Sequence, residues 1–476
     1  MLWRRNTVSI HLQAYCFQHP HWRIKRMKMD SKWLNFNKPD LLIERQQLLD
    51  EGMDMLGFQD EFDCLSKLDI DNTPHLQVRL QALFDQAESL STLPGYPYTE
   101  PSELHAIRLA STSDSLRLKA ETSDEDLYDH IYGAWLGRCA GCLLGLPIEG
   151  WRSSDLWPFL METANYPLSN YIHYNVSQEI QERYKLAAND AYIDRISHMV
   201  EDDDINYTVT ALAVFKQYGQ NFTPADIASF WMGNIPILHT YTAERVAYRN
   251  FCNLISPPRS ARFRNPYREW IGAQIRADFW GYVALGNPHL AAEYAWRDAS
   301  ISHIRNGIYG EMWVAAMLAA AAFTKSRIEL IEIGLSEIPT NSRFSKSIRA
   351  ILKAYLQQAE YDEVVEQIHT GWDERNPHHW CHTISNAEIV AAGLLWGAGD
   401  FEKSICRAVQ ACFDTDCNGA TVGSIIGMML GAKALPEKWI GPLHDTLDTG
   451  ISGYNQVQIS HLAEETLKLS KTIQDQ

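Results

Sequence analysis

Apolar residues recur every three to four positions along most of the chain, and stretches alternating every second residue are scarce, which predicts an all-α fold. The strongest periodicities predict helices over 126–145, 206–218, 223–232, 290–298, 310–323, 345–358, 387–395, 401–411, 419–432 and 459–472. Upstream, 41–88 reads as charged helix, with Leu42, Leu48, Leu49, Leu65, Leu76, Val78 and Leu80 set among Glu, Gln and Arg. Three prolines and a glycine within 93–101 predict extended, irregular chain, and the polar segment 102–126 joins it to the first strongly periodic helix. Loops rich in Pro, Asn and His are predicted at 256–266 and 376–385, where chemistry usually sits on a rigid scaffold.

Two of the helices carry a second pattern. Glycines stand at Gly133, Gly137, Gly141 and Gly145, and again at Gly419, Gly423, Gly427 and Gly431. Steps of four keep one helix face, and each such glycine costs about 1 kcal/mol relative to alanine. Close approach of another backbone offsets that cost. The two are therefore predicted to be tightly packed central helices, each ended by a following proline, Pro147 and Pro436.

The 476 residues, 46% of them hydrophobic, suffice for a large core. We divide them into 1–28, a basic leader or over-extended start with Arg and Lys but no acid, 29–125, an N-terminal helical extension, and 126–476, the main domain. A net charge of -17 would repel nucleic acid and anionic membranes, so neither is expected as a partner. The apolar runs 312–323 and 419–432 are shorter than the roughly 20 residues that span a bilayer. Nine scattered cysteines, including Cys139 and Cys142 as a CxxC, read as buried thiols of a cytoplasmic protein rather than a disulfide framework or zinc site.

Acidic clusters supply the candidate chemistry. Asp202, Asp203 and Asp204 stand together just before the helix predicted at 206. One of them suits a helix cap, but three adjacent carboxylates repel one another unless a cation or proton neutralises them. Asp414 and Asp416 precede the second glycine-striped helix, and Glu149 follows the first. Asp-x-Asp offers oxygen ligands to a hard cation, Mg²⁺, Mn²⁺ or Ca²⁺, rather than to zinc. If the striped helices cross, all three acidic segments can converge; a solvated surface is the alternative for each cluster taken alone.

At these residues the sequence resembles the ADP-ribosylglycohydrolase family, over about 128–439. The stretch 133–149 resembles that family's opening helix and glutamate, Asp202 to Thr208 its Thr-Asp-Asp-Thr motif, and Asp414 to Asn418 its closing Asp-x-Asp-Thr/Ser motif. Segments 271–276 and 301–303 are similar to weaker central motifs. The resemblance implies a compact orthogonal helical bundle holding one or two Mg²⁺ ions, with ligands carried over to Asp203, Asp204, Asp414 and Asp416, and Glu149 beside them. It departs at Asp202, where the family has Thr, at Cys417, where it has Thr or Ser, and at Cys142, where it has Asp. A carboxylate at Asp202 still suits a hard metal, whereas a thiol at Cys417 does not.

The activity so implied is metal-dependent hydrolysis of the glycosidic bond at ribose C1 of an ADP-ribosylated protein or small acceptor. Asp202 is a further ligand, Cys417 occupies the last ligand position, Glu149 is the leading residue for activating water, and Asp204 is assigned both to the metal and to catalysis. Gly272, Arg276 and His303 are candidates for contacting the nucleotide by backbone approach, phosphate pairing and hydrogen bonding. Trp380, His382 and Asn386 are expected to form an aromatic and polar wall. Two other readings keep the scaffold: a hydrolase of nucleosides or other ribosyl compounds, and a non-catalytic, crystallin-like or binding protein.

Overall fold

The two glycine stripes face each other. In a computed structural model of the chain, which describes residues 35–113, 115–118, 123–186 and 191–474, helix Asp124–Gly145 lies antiparallel to helix Thr415–Leu430. A Cβ placed on Gly137 would stand 2.1 Å from the Gly423 carbonyl oxygen, and one on Gly141 1.9 Å from that of Gly419. No side chain fits between these backbones, which is why the stripes are glycine. Each four-residue step on one helix is matched by one on the other, so from Gly133 to Gly145 the first helix runs alongside the second rather than crossing it. The register ends with Gly145 against the backbone of Thr415 and Asp416, where the Thr415 hydroxyl donates to the Gly145 carbonyl at 3.0 Å. Packing thus carries the end of one helix to the start of the other.

All ten predicted helices form, several longer at their N-termini than the periodicity indicates. The helix predicted from 206 is Asp203–Tyr218, and that predicted from 419 is Thr415–Leu430, so both acidic motifs occupy helix starts rather than the loops before them. Pro147 does end the first striped helix, through the tight turn Leu146–Ile148. The second ends earlier than Pro436, at Gly431, whose φ of +80° breaks the helix. The predicted loop 376–385 is largely a one-turn helix, Pro377–Trp380, followed by helix Thr383–Trp396. A hairpin, Thr446–Asp448 with Gln456–Gln458, is the one two-stranded sheet among the described residues.

One apolar core surrounds the striped pair. It takes in Trp135, Trp280, Trp313 and Trp439, all buried. Asp124–Ile148 is long and apolar enough to cross a bilayer, which the two shorter apolar runs did not indicate, yet 89% of its apolar window is buried in protein, as befits a core helix. The extension forms helices Lys38–Asp50, Gln59–Ser66 and Leu76–Ala87 around a separate small core of Leu41, Leu48, Phe62, Leu80 and Phe84. Ion pairs seat it on the rest of the molecule: Arg268 meets Glu44 and Glu51, each at 2.6 Å, and Arg343 meets Glu100 at 2.9 Å. The expected leader, 1–28, lies outside the described residues.

Candidate active site

The junction of the striped helices opens into a cavity of about 590 Å³. Glu149, Asp202, Asp203, Asp414, Asp416 and Cys417 line it, with Gly272 and Trp380 on the far wall. Residues separated by more than 200 positions meet here because the glycine register sets the turn after Gly145 against the turn before Thr415. Carboxylate oxygens of Glu149, Asp414 and Asp416 lie within 4.8 Å of one another, as do ligand atoms of Asp204, Asp416 and Cys417, and of Cys142, Asp202 and Asp204.

Each acid has a different local tie. Asp202 is the cap of its helix, its Oδ1 accepting from the Asp204 amide at 2.9 Å and from the Cys142 thiol at 3.4 Å. Asp414 holds the cap position of the other helix without a capping bond, so its carboxylate is left for the cavity. Cys412 and Phe413 approach it at φ of +69° and +60°, left-handed conformations that cost on the order of 1–3 kcal/mol each in non-glycine residues. Asn386 fixes this turn, its Oδ1 accepting from the Asp414 amide at 3.2 Å and from Asn418 at 2.8 Å.

Electrostatics follow from crowding. Burial and the charges of Asp202, Asp204, Glu149 and Glu244 hold the Asp203 carboxyl well above the ordinary carboxylate range. Burial, then Glu149, does the same to Asp414 and Asp416. Glu149 opens onto the cavity yet is surrounded by protein, and that desolvation, with Asp202, pushes it up to about 7. Among the described residues no ion pair reaches Glu149, Asp203, Asp414 or Asp416. Two buried carboxylate oxygens, Asp204 Oδ2 and Asp416 Oδ1, have no hydrogen-bond partner. An orphaned, oxygen-rich, strongly negative donor set fits a hard divalent cation. The thiols of Cys142 and Cys417 do not add to that fit, since soft sulfur is a poor ligand for such ions.

Several expected contacts are corrected by burial. Asp204 lies beneath the cavity floor, fully buried, with Oδ1 2.9 Å from Arg138, so it supports the nest and does not face substrate as a catalytic group. Arg276 stands behind the wall, 2.8 Å from Glu244 and 3.2 Å from Asp298; its charge is already matched and unavailable to a phosphate. His303 is buried beside it, hydrogen-bonded to Ser302. His382 is buried, stacked on Trp372, with Nδ1 accepting from the Ile384 amide and Nε2 3.7 Å from Glu269. Asn386, occupied in tying the Asp414 turn, is likewise absent from the lining. Gly272 does reach the cavity: a Cβ there would sit 2.1 Å from Glu244 Oε1, so glycine leaves room for that carboxylate.

Glu201, Asn206, His239, Tyr241 and Glu244 also line the cavity, and sequence reasoning misses them. Glu201 and Asn206 flank the triple aspartate, and that proximity is a usable signal. Tyr241 and Glu244 open a helix, Thr242–Cys252, whose apolar face is made of few and mostly small residues, Ala243, Ala247 and Phe251 among them. The far wall is braced by the extension. Asp50 accepts from His378 Nε2 at 2.9 Å, and Trp270 donates to His378 Nδ1 at 3.0 Å, next to Ile271 and Gly272.

Fold and site define an all-helical protein with an acidic, oxygen-rich nest suited to a cation. Residues 123–475 match the family model for ADP-ribosylglycohydrolase, and the chain belongs to that family. An uncharacterized protein of Archaeoglobus fulgidus is 26% identical over 185 residues, which is 38% of this chain and 55% of that protein, so the match spans about half the length of this curated relative. A solved structure described as an ADP-ribosylglycohydrolase-related protein complex shares 19% identity, covering 73% of this chain and 99% of that one, with a TM-score of 0.45.

Proposed function

We propose that this chain is a divalent-metal-dependent glycohydrolase, with Mg²⁺ the natural ion, cleaving the bond at ribose C1 of an ADP-ribosylated substrate. The observation that carries this is the convergence of Glu149, Asp414 and Asp416 within 4.8 Å on one open cavity, with no cationic side chain among the described residues paired to them. Asp414 and Asp416, with Asp202, Asp203 and Asp204 around them, are the residues that would hold one or two ions; the metal would supply Lewis-acid orientation of sugar hydroxyls and a more acidic water. Glu149 takes a proton from the attacking water as the water oxygen bonds to C1 and the C1–aglycone bond breaks, the aglycone leaving with the bonding pair. General-base help of this kind contributes roughly 10²- to 10⁴-fold. Trp380, whose buried indole N–H has no partner, offers a donor and an apolar face to the ligand.

The test is a panel of ADP-ribosyl-arginine, O-acetyl-ADP-ribose and simple nucleosides, with and without chelator. ADP-ribosyl cleavage that stops on chelation and falls at least 100-fold in Glu149→Gln supports the reading. Cleavage of nucleosides alone would transfer it to another ribosyl substrate, and no cleavage of any compound with Mg²⁺ present would overturn it.

A further inference from the structure

Glu201 and His239 meet on the rim of the acidic cavity, with Nδ1 2.6 Å from Glu201 Oε1, and both line it. A carboxylate only accepts, so the proton of this bond sits on Nδ1, and Nε2 is the ring atom left to gain or lose one. Among the described residues Nε2 has no hydrogen-bond partner.

A surface carboxylate beside a histidine contributes little by itself, but this pair is built into the fold from three sides. Glu201 Oε1 also accepts from Asn206 Nδ2 at 3.2 Å, and the buried Asn206 in turn accepts through Oδ1 from the Gly450 amide at 2.9 Å. Gly450 closes over the pair: a Cβ there would stand 2.3 Å from Glu201 Oε1 and 2.9 Å from His239 Nδ1, so no larger residue fits. His239 ends the single turn Ile237–His239, its amide donating to the Pro236 carbonyl at 2.8 Å. The Thr240 hydroxyl locks that turn, donating to the Ile237 carbonyl at 2.6 Å. The ring is thereby held in one place and one tautomer, as suits a histidine that handles a proton.

Its position matches the half of the reaction that Glu149 leaves open. In the reading above the nest acids serve the ion and Glu149 the attacking water, while Glu244 is bound to Arg276. The thiols and the Tyr241 phenol in the lining are weak acids at neutral pH. His239, its side chain 40% exposed, stands where the cavity meets solvent. A sugar held at the nest turns its aglycone toward that opening, because an acceptor as large as a protein has to stay outside.

We propose that His239, oriented by Glu201, is the acid that protonates the departing aglycone. This rests on the proposed glycohydrolase function. As the C1–aglycone bond breaks, the aglycone atom that keeps the bonding pair takes the proton from Nε2, while the water oxygen bonds to C1 and its proton goes to Glu149. Exchange with solvent returns one proton to His239 and removes one from Glu149, so no further reactant is needed.

The experiment compares two O-linked ADP-ribosides, one of 4-nitrophenol and one of an aliphatic alcohol, with Mg²⁺ present. The full chain is assayed beside His239→Gln, His239→Ala and Glu201→Gln, each checked for an unchanged melting profile. A nitrophenolate leaves unaided, whereas an alkoxide needs the proton. His239→Gln should lower kcat on the alkyl riboside roughly 10²- to 10⁴-fold and on the nitrophenyl riboside only a few-fold. Imidazole added to His239→Ala should restore part of the alkyl rate, which a merely structural role would not allow. Glu201→Gln should show the same selectivity at smaller size, and serves if the His239 variants do not fold. A parent chain that cleaves neither riboside sinks the glycohydrolase reading and this assignment with it. A parent chain that cleaves both, with the variants slowed equally on the two or on neither, leaves that reading standing and overturns the acid, as does a parent chain that cleaves the nitrophenyl compound alone.

Discussion

Buried carboxylates occur in two settings here, and they differ in their partners. Away from the nest every acid named has a guanidinium within 4 Å: Glu244, on the cavity lining, with Asp298 and Glu311 around Arg276, Glu44 and Glu51 around Arg268, Glu100 and Glu269 around Arg343. In the cavity the buried Asp414 and Asp416, the half-buried Asp203 and the exposed Glu149 have none among the described residues. Desolvating a carboxylate without a counter-charge costs several kcal/mol, so a fold that gives each acid of the first set a guanidinium neighbour and leaves Asp414 and Asp416 bare has a use for that negative charge. The paired acids hold the wall in place; the unpaired ones are poised for a cation from solution.

The contrast is broken most sharply by Asp416→Ala. Glycohydrolase activity should fall at least about 1000-fold in a steady-state assay, since a ligand to the ion is lost, while the metal-free melting temperature holds or rises because repulsion is relieved. Arg276→Met should do the reverse. Leaving three buried acids without their cation should remove about 3–5 kcal/mol of stability by denaturant titration, with no direct loss of a substrate contact.

Glu388 sharpens the comparison as a buried acid with only neutral partners, Trp372 at 3.0 Å among them, and burial raises it to about 7. Its folded value lies above the ordinary 4.5, so the native state retains the proton between those values and stability declines as pH rises from about 4.5 to about 7. The decline should be on the order of 2–3 kcal/mol, and Glu388→Gln should flatten it in melts across that window. The smallest effect belongs to Asp50→Asn, which weakens the His378 brace by about 1 kcal/mol and should raise KM a few-fold with little change in kcat.

Much of this architecture is legible in the sequence. Glycine at steps of four on two helices has one physical use, and that pairing alone carries Glu149 to Asp414 and Asp416. What pattern cannot show is which charges are matched. Arg276 and His303 look like ligand contacts in a string of letters, and only tertiary packing reveals Glu244, some 30 residues earlier, already bonded to Arg276. Glu44 and Glu51 stand in a stretch that reads only as charged helix and Glu100 in one that reads as irregular chain, and their partners lie more than 200 residues away. Tyr241, Arg245 and Arg249 share a four-residue spacing, and Ala243, Ala247 and Phe251 an apolar one, but small and few apolar residues among charges make their helix easy to pass over in the sequence.

Titration of Mg²⁺ into the full chain, followed by calorimetry, tests the central claim most directly. The account predicts saturable binding that is lost in both Asp414→Ala and Asp416→Ala and retained in Asp50→Asn. An unchanged isotherm in the two nest variants, or no heat from the parent chain, would contradict it.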